Sequence, residues 1–135
     1  MNLDEYRKLQ KQVPKQRKHD EDNLQEAVVK FVSLKYPNIV MYSIPNGGGR
    51  KAFEVVRLKR QGLTNGIPDL CIAKPFRSPQ GLIQFGALYL ELKAPKGRLS
   101  DSQKLIIPKL QEAGNRVEIV NSLDQAMKII DEYLK

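Results

Sequence analysis

The chain has 135 residues, one histidine and one cysteine, and its 23 basic and 15 acidic residues give a formal net charge of +8. This length suits one domain with its own hydrophobic core, while the lone histidine and cysteine leave zinc, haem and thiol-protease chemistry almost without ligands. The positive charge predicts a polyanionic partner, and any bound metal ion must be held mainly by oxygen atoms.

The N-terminal sequence MNLDEYRKLQ is charged, and the apolar runs of the chain are short. We therefore expect no signal peptide and no membrane-spanning helix. Cys71 has no second cysteine with which to form an intramolecular disulfide, which fits a reducing compartment. A cytoplasmic location follows as the expectation.

The excess positive charge lies in two segments. Residues 1–18 carry six basic side chains against two acidic ones, and residues 50–60 carry five against one, so each segment has a net charge of +4. The basic residues are Arg7, Lys8, Lys11, Lys15, Arg17, Lys18, Arg50, Lys51, Arg57, Lys59 and Arg60. This concentration predicts contacts with phosphates, although a solvated tail and a charged helix face would give the same pattern.

In chain order, residues 1–19 are predicted to form a basic arm outside the core, mobile or weakly helical, and residues 20–135 the domain. From Asp20 an amphipathic helix is predicted that ends at Pro37. Its apolar stripe consists of Leu24, Ala27, Val28, Phe31 and Val32. Residues 39–44 favour a strand, residues 46–49 a glycine-rich loop, and residues 51–61 a helix closed by Gly62, although their apolar spacing also permits a strand.

The second half of the chain contains two strands, at residues 69–73 and 87–92, which we expect to be antiparallel neighbours. Ser100 and Gln103 have the spacing of a capping box, which predicts a helix that Gly114 closes. A strand over residues 117–120 and a helix capped by Ser122 and Gln125 follow. The predicted fold class is α/β, a single domain with a mixed β-sheet flanked by helices.

Three polar side chains are predicted to converge on this sheet. Strand side chains alternate between faces, so Glu91 and Lys93 share one face, and antiparallel pairing brings Asp69 beside Glu91. Adjacent carboxylates repel unless a cation lies between them, and oxygen ligands suit Mg²⁺ or Mn²⁺. Each signal alone is common in structural positions, as an exposed Glu-x-Lys or an ordinary Pro-Asp turn.

The segments GIPDLCIA, LYLELKAPKGRLSDSQK and LQEAGNRVEIV resemble the PD-(D/E)XK nuclease core in its VRR-NUC (virus-type replication-repair nuclease) form. The resemblance covers roughly residues 20–125 and implies a restriction-endonuclease-like fold. It is compound, because Pro68-Asp69, Glu91-x-Lys93, Gly97 and the Ser100/Gln103 pair occur in the family's order. The longer stretch between residues 74 and 86 departs from a tight hairpin.

The resemblance assigns roles residue by residue. Asp69 and Glu91 would be metal ligands together with the backbone carbonyl of Leu92, and Lys93 would be the catalytic lysine. Gln103 would act near the active site, where its role as a helix cap is the alternative. Glu26 would hold a second metal or orient water, and its alternative is an ion pair with Lys30. The residues expected to contact DNA are Asn46, Arg50, Lys51, Arg57, Lys59, Arg60, Lys96 and Arg98.

The function expected from these observations is an Mg²⁺- or Mn²⁺-dependent DNA endonuclease of DNA repair that acts in a bacterium or a virus-infected host cell. No base-reading motif is evident, so selection by DNA shape is expected, as in resolution of four-way (Holliday) junctions. The resemblance implies a homodimer, with no nucleotide cofactor and no membrane partner. A non-catalytic DNA-binding module, a monomeric flap or end-processing nuclease and a restriction-type enzyme are the alternatives.

Apolar residues of two predicted helices offer a surface for such a dimer. The final helix contributes five of them, and the helix from Asp20 could share the interface through Phe31 and Leu34. The five are Leu123, Ala126, Ile129, Ile130 and Tyr133. Core packing is the alternative use of these side chains.

Overall fold

The structure is a computed structural model, and it describes residues 2–12, 20–45 and 51–135. Its helices are α1 (Leu3–Gln12), α2 (Asp20–Lys35), α3 (Ala52–Arg60), α4 (Asp101–Glu112) and α5 (Leu123–Leu134). Its strands are β1 (Met41–Ser43), β2 (Leu70–Ile72), β3 (Phe76–Arg77), β4 (Ile83–Phe85), β5 (Leu88–Leu92) and β6 (Arg116–Val120). The protein is a single small α/β domain with a mixed sheet flanked by helices, which confirms the predicted fold class.

The main sheet has four strands in the order β1-β2-β5-β6. β2 is antiparallel to both β1 and β5, so the predicted antiparallel pairing of the two central strands is confirmed. β6 runs parallel to β5, and a parallel neighbour requires a long crossover, which α4 provides. Leu70 lies opposite Leu90, and this register places Asp69 opposite Glu91 one residue further along.

The hydrophobic core lies between one face of this sheet and helices α2 and α5. Leu88, Leu90 and Leu92 alternate along β5 and point into this core, where each is at most 1% exposed. The intervening residues of β5 face the opposite side of the sheet. Glu91 is therefore held on the second face by a strand whose other face is fixed by apolar packing.

Helices α2 and α5 supply most of the remaining core. The predicted apolar stripe of α2 is confirmed, because Ala27, Val28, Phe31 and Val32 are buried and Leu24 packs against them. In α5 the buried residues are Ala126, Met127, Ile130, Tyr133 and Leu134, while Leu123 and Ile129 pack partly buried against the core. The apolar surface that the sequence offered for a dimer is thus used inside the domain, apart from the exposed Leu34.

The predicted arm begins with helix α1, and part of it contacts the domain. Leu3 packs partly buried against the core, and Arg7 lies with one guanidinium nitrogen 3.5 Å from the sulfur of Met127 in α5. The expectation that the arm stays outside the core is therefore wrong for Leu3, because even one leucine gains from leaving water. Residues 13–19, with Lys15, Arg17 and Lys18, lie outside the described residues.

Both C-terminal helices begin at the predicted serine caps. At α4 the capping box is complete, since the Gln103 N–H donates to the Ser100 hydroxyl and the Ser100 N–H donates to the Gln103 side chain. At α5 the Gln125 N–H donates to the Ser122 hydroxyl, but the Gln125 side chain accepts from Asn121. The second box is therefore incomplete, because its glutamine reaches one residue further back.

The connection between β2 and β5 forms a second, two-stranded antiparallel sheet of β3 and β4, which the sequence did not predict. The Phe76 ring lies 5.5 Å from that of Tyr133, whose hydroxyl donates to the Lys74 carbonyl at 2.6 Å. These contacts fasten the hairpin to α5, at the end of the main sheet opposite Asp69. None of the helices in the described ranges is long and apolar enough to cross a bilayer.

Candidate active site

Asp69 and Glu91 meet on two neighbouring strands. Asp69 follows the buried Pro68 and directly precedes β2, while Glu91 is the fourth residue of β5. The Leu92 N–H donates a hydrogen bond of 2.8 Å to one carboxylate oxygen of Asp69, Oδ2. The structure thus brings together the two carboxyls that alternation and strand pairing predicted to converge.

Glu91 is the most buried charged residue among those that the structure describes, with 2% of its surface exposed. The Gln103 side-chain amide donates a hydrogen bond of 2.7 Å to Glu91 Oε1, and the Lys93 ammonium lies 3.7 Å from the same oxygen. The other oxygen, Oε2, is buried and accepts no hydrogen bond from an N–H group in the described part of the protein, while the Asp69 carboxyl is close enough to share a hydrogen bond with Glu91 when one of the two is protonated. A carboxylate oxygen in that position needs a proton or a cation beside it.

The environment raises the affinity of both carboxyls for protons. Burial and the neighbouring Asp69 charge raise the pKa of Glu91 to about 8, and the nearby Lys93 ammonium offsets only part of this shift. Burial also raises the pKa of Asp69, against the hydrogen bond that it accepts from Leu92. A buried and a half-buried carboxyl, both with raised pKa values, form a site where a cation would replace the protons.

Lys93 extends β5 by one residue and is held in line with β6, because its N–H donates to the Val120 carbonyl at 2.9 Å. Its side chain is 14% exposed. It therefore combines a buried stem with an ammonium group that stays close to Glu91. This placement on the same face as Glu91 agrees with the prediction from strand alternation.

Gln103 performs both of the roles between which the sequence could not choose. Its side-chain oxygen accepts from the Ser100 N–H at 2.8 Å and closes the capping box, while its side-chain nitrogen donates to Glu91. The cap fixes the orientation of the side chain, so that the amide points at the carboxylate. The first turn of α4 is thereby joined to the site.

Glu21, which the sequence analysis did not single out, is the acidic residue of α2 that reaches the site. Its carboxylate accepts a hydrogen bond of 3.2 Å from the Ala94 N–H, just beyond Lys93. Its charge contributes to the raised pKa values of both Asp69 and Glu91. The signal available in the sequence was its place in the acidic first turn of the helix, one turn before Leu24.

Glu26, the candidate chosen from the sequence, lies elsewhere on α2. It is exposed and lines a surface groove of about 470 Å³ together with Asp22, Gln25, Val29, Lys30 and Ser33. Five residues correspond to about 140° of rotation beyond one full helical turn, so Glu21 and Glu26 point to different sides. The structure therefore adds Glu21 as an acidic side chain of α2 beside the two carboxyls, and the role of Glu26 stays a prediction.

The donors present at this site fit a cation that prefers oxygen. No group of three or more histidine, cysteine, aspartate or glutamate side chains within the described ranges is arranged to hold a metal ion. The oxygen donors are therefore Asp69 and Glu91, with the Leu92 carbonyl lying between Glu91 and Lys93 in the chain. The observation that favours Mg²⁺ or Mn²⁺ here is the buried Glu91 Oε2, which accepts no N–H in the described residues and lies next to a second carboxyl, Asp69.

Exposed basic residues lie in segments that adjoin these carboxyls along the chain. Strand β1, which precedes α3, ends beside Asp69, because the Ile44 N–H donates to the Asp69 carbonyl at 2.9 Å. Of the predicted DNA contacts, six are exposed, namely Lys51, Arg57, Lys59, Arg60, Lys96 and Arg98. Asn46 and Arg50 lie outside the described residues.

Comparisons with known proteins agree with this fold. The sequence profile of the VRR-NUC domain family matches residues 4–124, so the match begins inside the predicted arm. A solved structure titled "VRR_NUC domain protein" is 22% identical, with a TM-score of 0.66 over 85% of this chain and 88% of that one. A second, titled "VRR_NUC domain", is 19% identical, with a TM-score of 0.52 over 84% and 97%. No curated protein matched the sequence.

Proposed function

Because this chain belongs to the VRR-NUC domain family, whose members are nuclease domains that process DNA, we propose that it is a metal-dependent endonuclease for branched DNA. The observation that carries the proposal is the burial of Glu91 beside Asp69. Lys93 and Gln103 both contact one oxygen of the Glu91 carboxylate, Oε1. A structural ion pair typically satisfies both oxygens of a buried carboxylate with donors, whereas Glu91 Oε2 accepts no N–H in the described residues and faces a second carboxyl, Asp69.

Asp69, Glu91 and the Leu92 carbonyl are the proposed ligands of Mg²⁺ or Mn²⁺, and Glu21 is the third acidic side chain of the site. When bound, the cation would neutralise the carboxylates, activate water and stabilise charge on the phosphate. The ligands need a fixed separation for this purpose. The β2–β5 register and the hydrogen bond between Leu92 and Asp69 favour such a separation.

Lys93 and Gln103 have different proposed roles. The Lys93 ammonium, close to Glu91 and partly exposed, is the group that would contact the scissile phosphate and stabilise its developing negative charge. Gln103 is a positioning residue, because it holds Glu91 through a single hydrogen bond. Its amide does not titrate, so it keeps this contact whether or not Glu91 is ionised.

The proposed substrate is four-way or other branched DNA, selected by shape. The exposed basic residues of α3 and of residues 96–98 would bind phosphates, which supply affinity without reading bases. Symmetric cleavage of a four-way junction needs two active sites, so we propose that the protein acts as a homodimer in the cytoplasm. A monomeric flap or end-processing nuclease and a non-catalytic DNA-binding module are the competing functions.

The test is cleavage of labelled four-way junction, flap, duplex and single-stranded DNA with Mg²⁺ or Mn²⁺. Lys93→Ala and Asp69→Ala should abolish cleavage and leave DNA binding largely intact, because neither side chain belongs to the apolar core. Lys128→Ala removes an exposed lysine of α5, on the other side of the sheet, and should cut like the parent. Parental activity in either site variant would refute the proposed active site.

Assembly separates the remaining alternatives. In light scattering, the free protein, and the junction complex after subtraction of the DNA mass, should each give about twice the chain mass of 15.4 kDa if two copies cooperate. A protein mass of one chain in both states would exclude the paired resolvase and favour the monomeric nuclease. Junction binding without cleavage of any substrate would favour the non-catalytic module.

A further inference from the structure

Helix α3 presents an aromatic side chain to solvent. Phe53 is 68% exposed and Val56 is 55% exposed, while no residue of the helix is buried. Glu54, Val55 and Leu58 on the other side of the helix are half-buried. The helix is therefore turned so that the Phe53 ring and the adjoining Val56 face solvent together.

Two arginines flank Phe53 on the same face. Positions 53, 56, 57 and 60 fall within an arc of about 100° when the helix is viewed along its axis. Arg57 and Arg60 are both exposed. The face therefore consists of one aromatic ring, one valine and two guanidinium groups. From the sequence alone, its arginines were expected to contact phosphates.

The chain on either side of α3 reaches the end of the sheet where Asp69 lies. Before α3 the Ile44 N–H donates to the Asp69 carbonyl at 2.9 Å, and after α3 the chain runs through residues 61–68 to Asp69. The C-terminal end of α3 is capped, because Gly62 adopts a positive φ of 108° and the Leu63 N–H donates to the Leu58 carbonyl at 2.8 Å. Further along, Gly66 packs so closely on α4 that a Cβ there would collide with the Ser102 carbonyl.

The charge around Phe53 indicates what covers it. Residues 51–60 contain four basic residues and one acidic residue, a composition that attracts a polyanion. An aromatic ring beside arginines binds nucleic acid by stacking on a base while the arginines contact phosphates. In a duplex both faces of each base are already stacked on neighbours, so a free base face occurs only at unpaired or splayed nucleotides.

We propose that Phe53 is a stacking platform for an unpaired nucleotide of the DNA substrate, with Arg57 and Arg60 on the adjoining phosphates. The inference rests on the proposed function, since it gives the nuclease a means of preferring branch points over duplex. Phe53 would then be the residue that selects DNA by shape, and it lies outside the set of groups that perform the chemistry.

The experiment measures DNA binding in EDTA, so that it does not depend on cleavage. The probes are a four-way junction carrying one unpaired 2-aminopurine at its branch point, and a fully paired duplex of the same length. Phe53→Ala should weaken junction binding about 5- to 150-fold, the range for loss of one base stack, and leave duplex binding unchanged. Phe53→Trp should retain affinity and quench the 2-aminopurine fluorescence as the parent does.

Leu82→Ala is the matched control, because Leu82 is 70% exposed and lies on the hairpin at the opposite end of the sheet. It should bind both probes like the parent. Equal loss on junction and duplex in Phe53→Ala, or no loss on either, would overturn the proposal. It would also be overturned if Phe53→Ala converted a dimer to a monomer, since a second copy would then cover this face.

Failure of this proposal and failure of the proposed function are distinguishable. Selective junction binding through Phe53 without cleavage of any DNA would refute the nuclease assignment and leave the stacking platform intact. Normal Mg²⁺-dependent cleavage together with unchanged junction affinity in Phe53→Ala would refute the stacking platform and leave the nuclease assignment intact. Circular dichroism of Phe53→Ala should match the parent, because the side chain is not part of the core.

Discussion

Replacement of Glu91 by glutamine should stabilise the metal-free protein at pH 8. Glu91 has its pKa raised from an ordinary value of 4.5 to about 8, so the folded protein binds this proton more tightly than the unfolded chain does. The stability that the proton contributes is fully present below the unfolded pKa and is lost as the pH rises through the folded one. Glutamine carries no such proton, and its side chain can still accept the hydrogen bond from Gln103.

The size of the effect follows from the shift. Each pKa unit corresponds to about 1.4 kcal/mol, and the folded site relaxes when Glu91 ionises, so we expect a change on the order of 3 kcal/mol. Between pH 5 and pH 8 the free energy of unfolding of the parent in EDTA should fall by this amount relative to that of Glu91→Gln. The two proteins should be similar in stability near pH 5.

Urea denaturation of both proteins in EDTA at intervals from pH 5 to pH 8.5 measures this difference directly. Addition of Mg²⁺ at pH 8 should then restore stability to the parent and have little effect on Glu91→Gln, because the variant has lost a ligand charge. A stability difference that stays constant across the pH range would refute the reasoning, since Glu91 would then have an ordinary pKa in the folded protein.

Three further predictions concern other parts of the domain. Gln103→Ala should lower stability by about 2 kcal/mol in thermal melts, because it removes a capping hydrogen bond and a hydrogen bond to a buried carboxyl. Gln103→Glu keeps the capping hydrogen bond, but it should lose activity in cleavage assays because it adds a carboxylate beside Glu91. Asp131 accepts hydrogen bonds from Lys35 and Tyr36, and these bonds hold the pKa of Asp131 below its ordinary value despite its partial burial. In thermal melts Asp131→Asn should therefore be about 1 kcal/mol less stable than the parent at pH 7, and this difference should shrink as the pH falls below about 4. Simultaneous replacement of Arg57, Lys59 and Arg60 by alanine should reduce the slope of log affinity against log salt by about 2.7 on duplex DNA, and an unchanged slope would place the phosphate contacts elsewhere.

The residues on regular strands were predictable because strand geometry has a period of two. Once residues 69–73 and 87–92 were interpreted as neighbouring antiparallel strands, the convergence of Asp69, Glu91 and Lys93 followed from alternation alone. Gln103 was found through its capping spacing, which is also a local rule. Local rules sufficed here because each of these side chains is positioned by its own element.

Glu21 was missed because its position depends on how α2 lies across the sheet. Periodicity identifies the apolar side of a helix, but the end of the helix that meets the active site is decided by tertiary packing. Leu3 illustrates the same limit, since a single apolar residue in a charged segment gives no periodic signal. The short strands β3 and β4 were also missed, because their bent pairing lacks the regular alternation of a longer hairpin.

The β3–β4 hairpin leaves the main sheet at the end away from Asp69 and Glu91, so the length of chain between these two residues can vary without moving them. The separation between Asp69 and Glu91 in space is set by the β2–β5 register, and the chain that joins them contributes nothing to it. The interval between the two acidic residues can therefore lengthen or shorten by whole turns or hairpins while the carboxyls stay in place. Search patterns that fix this interval will miss relatives, whereas patterns that fix only the strand alternation on each side will retain them.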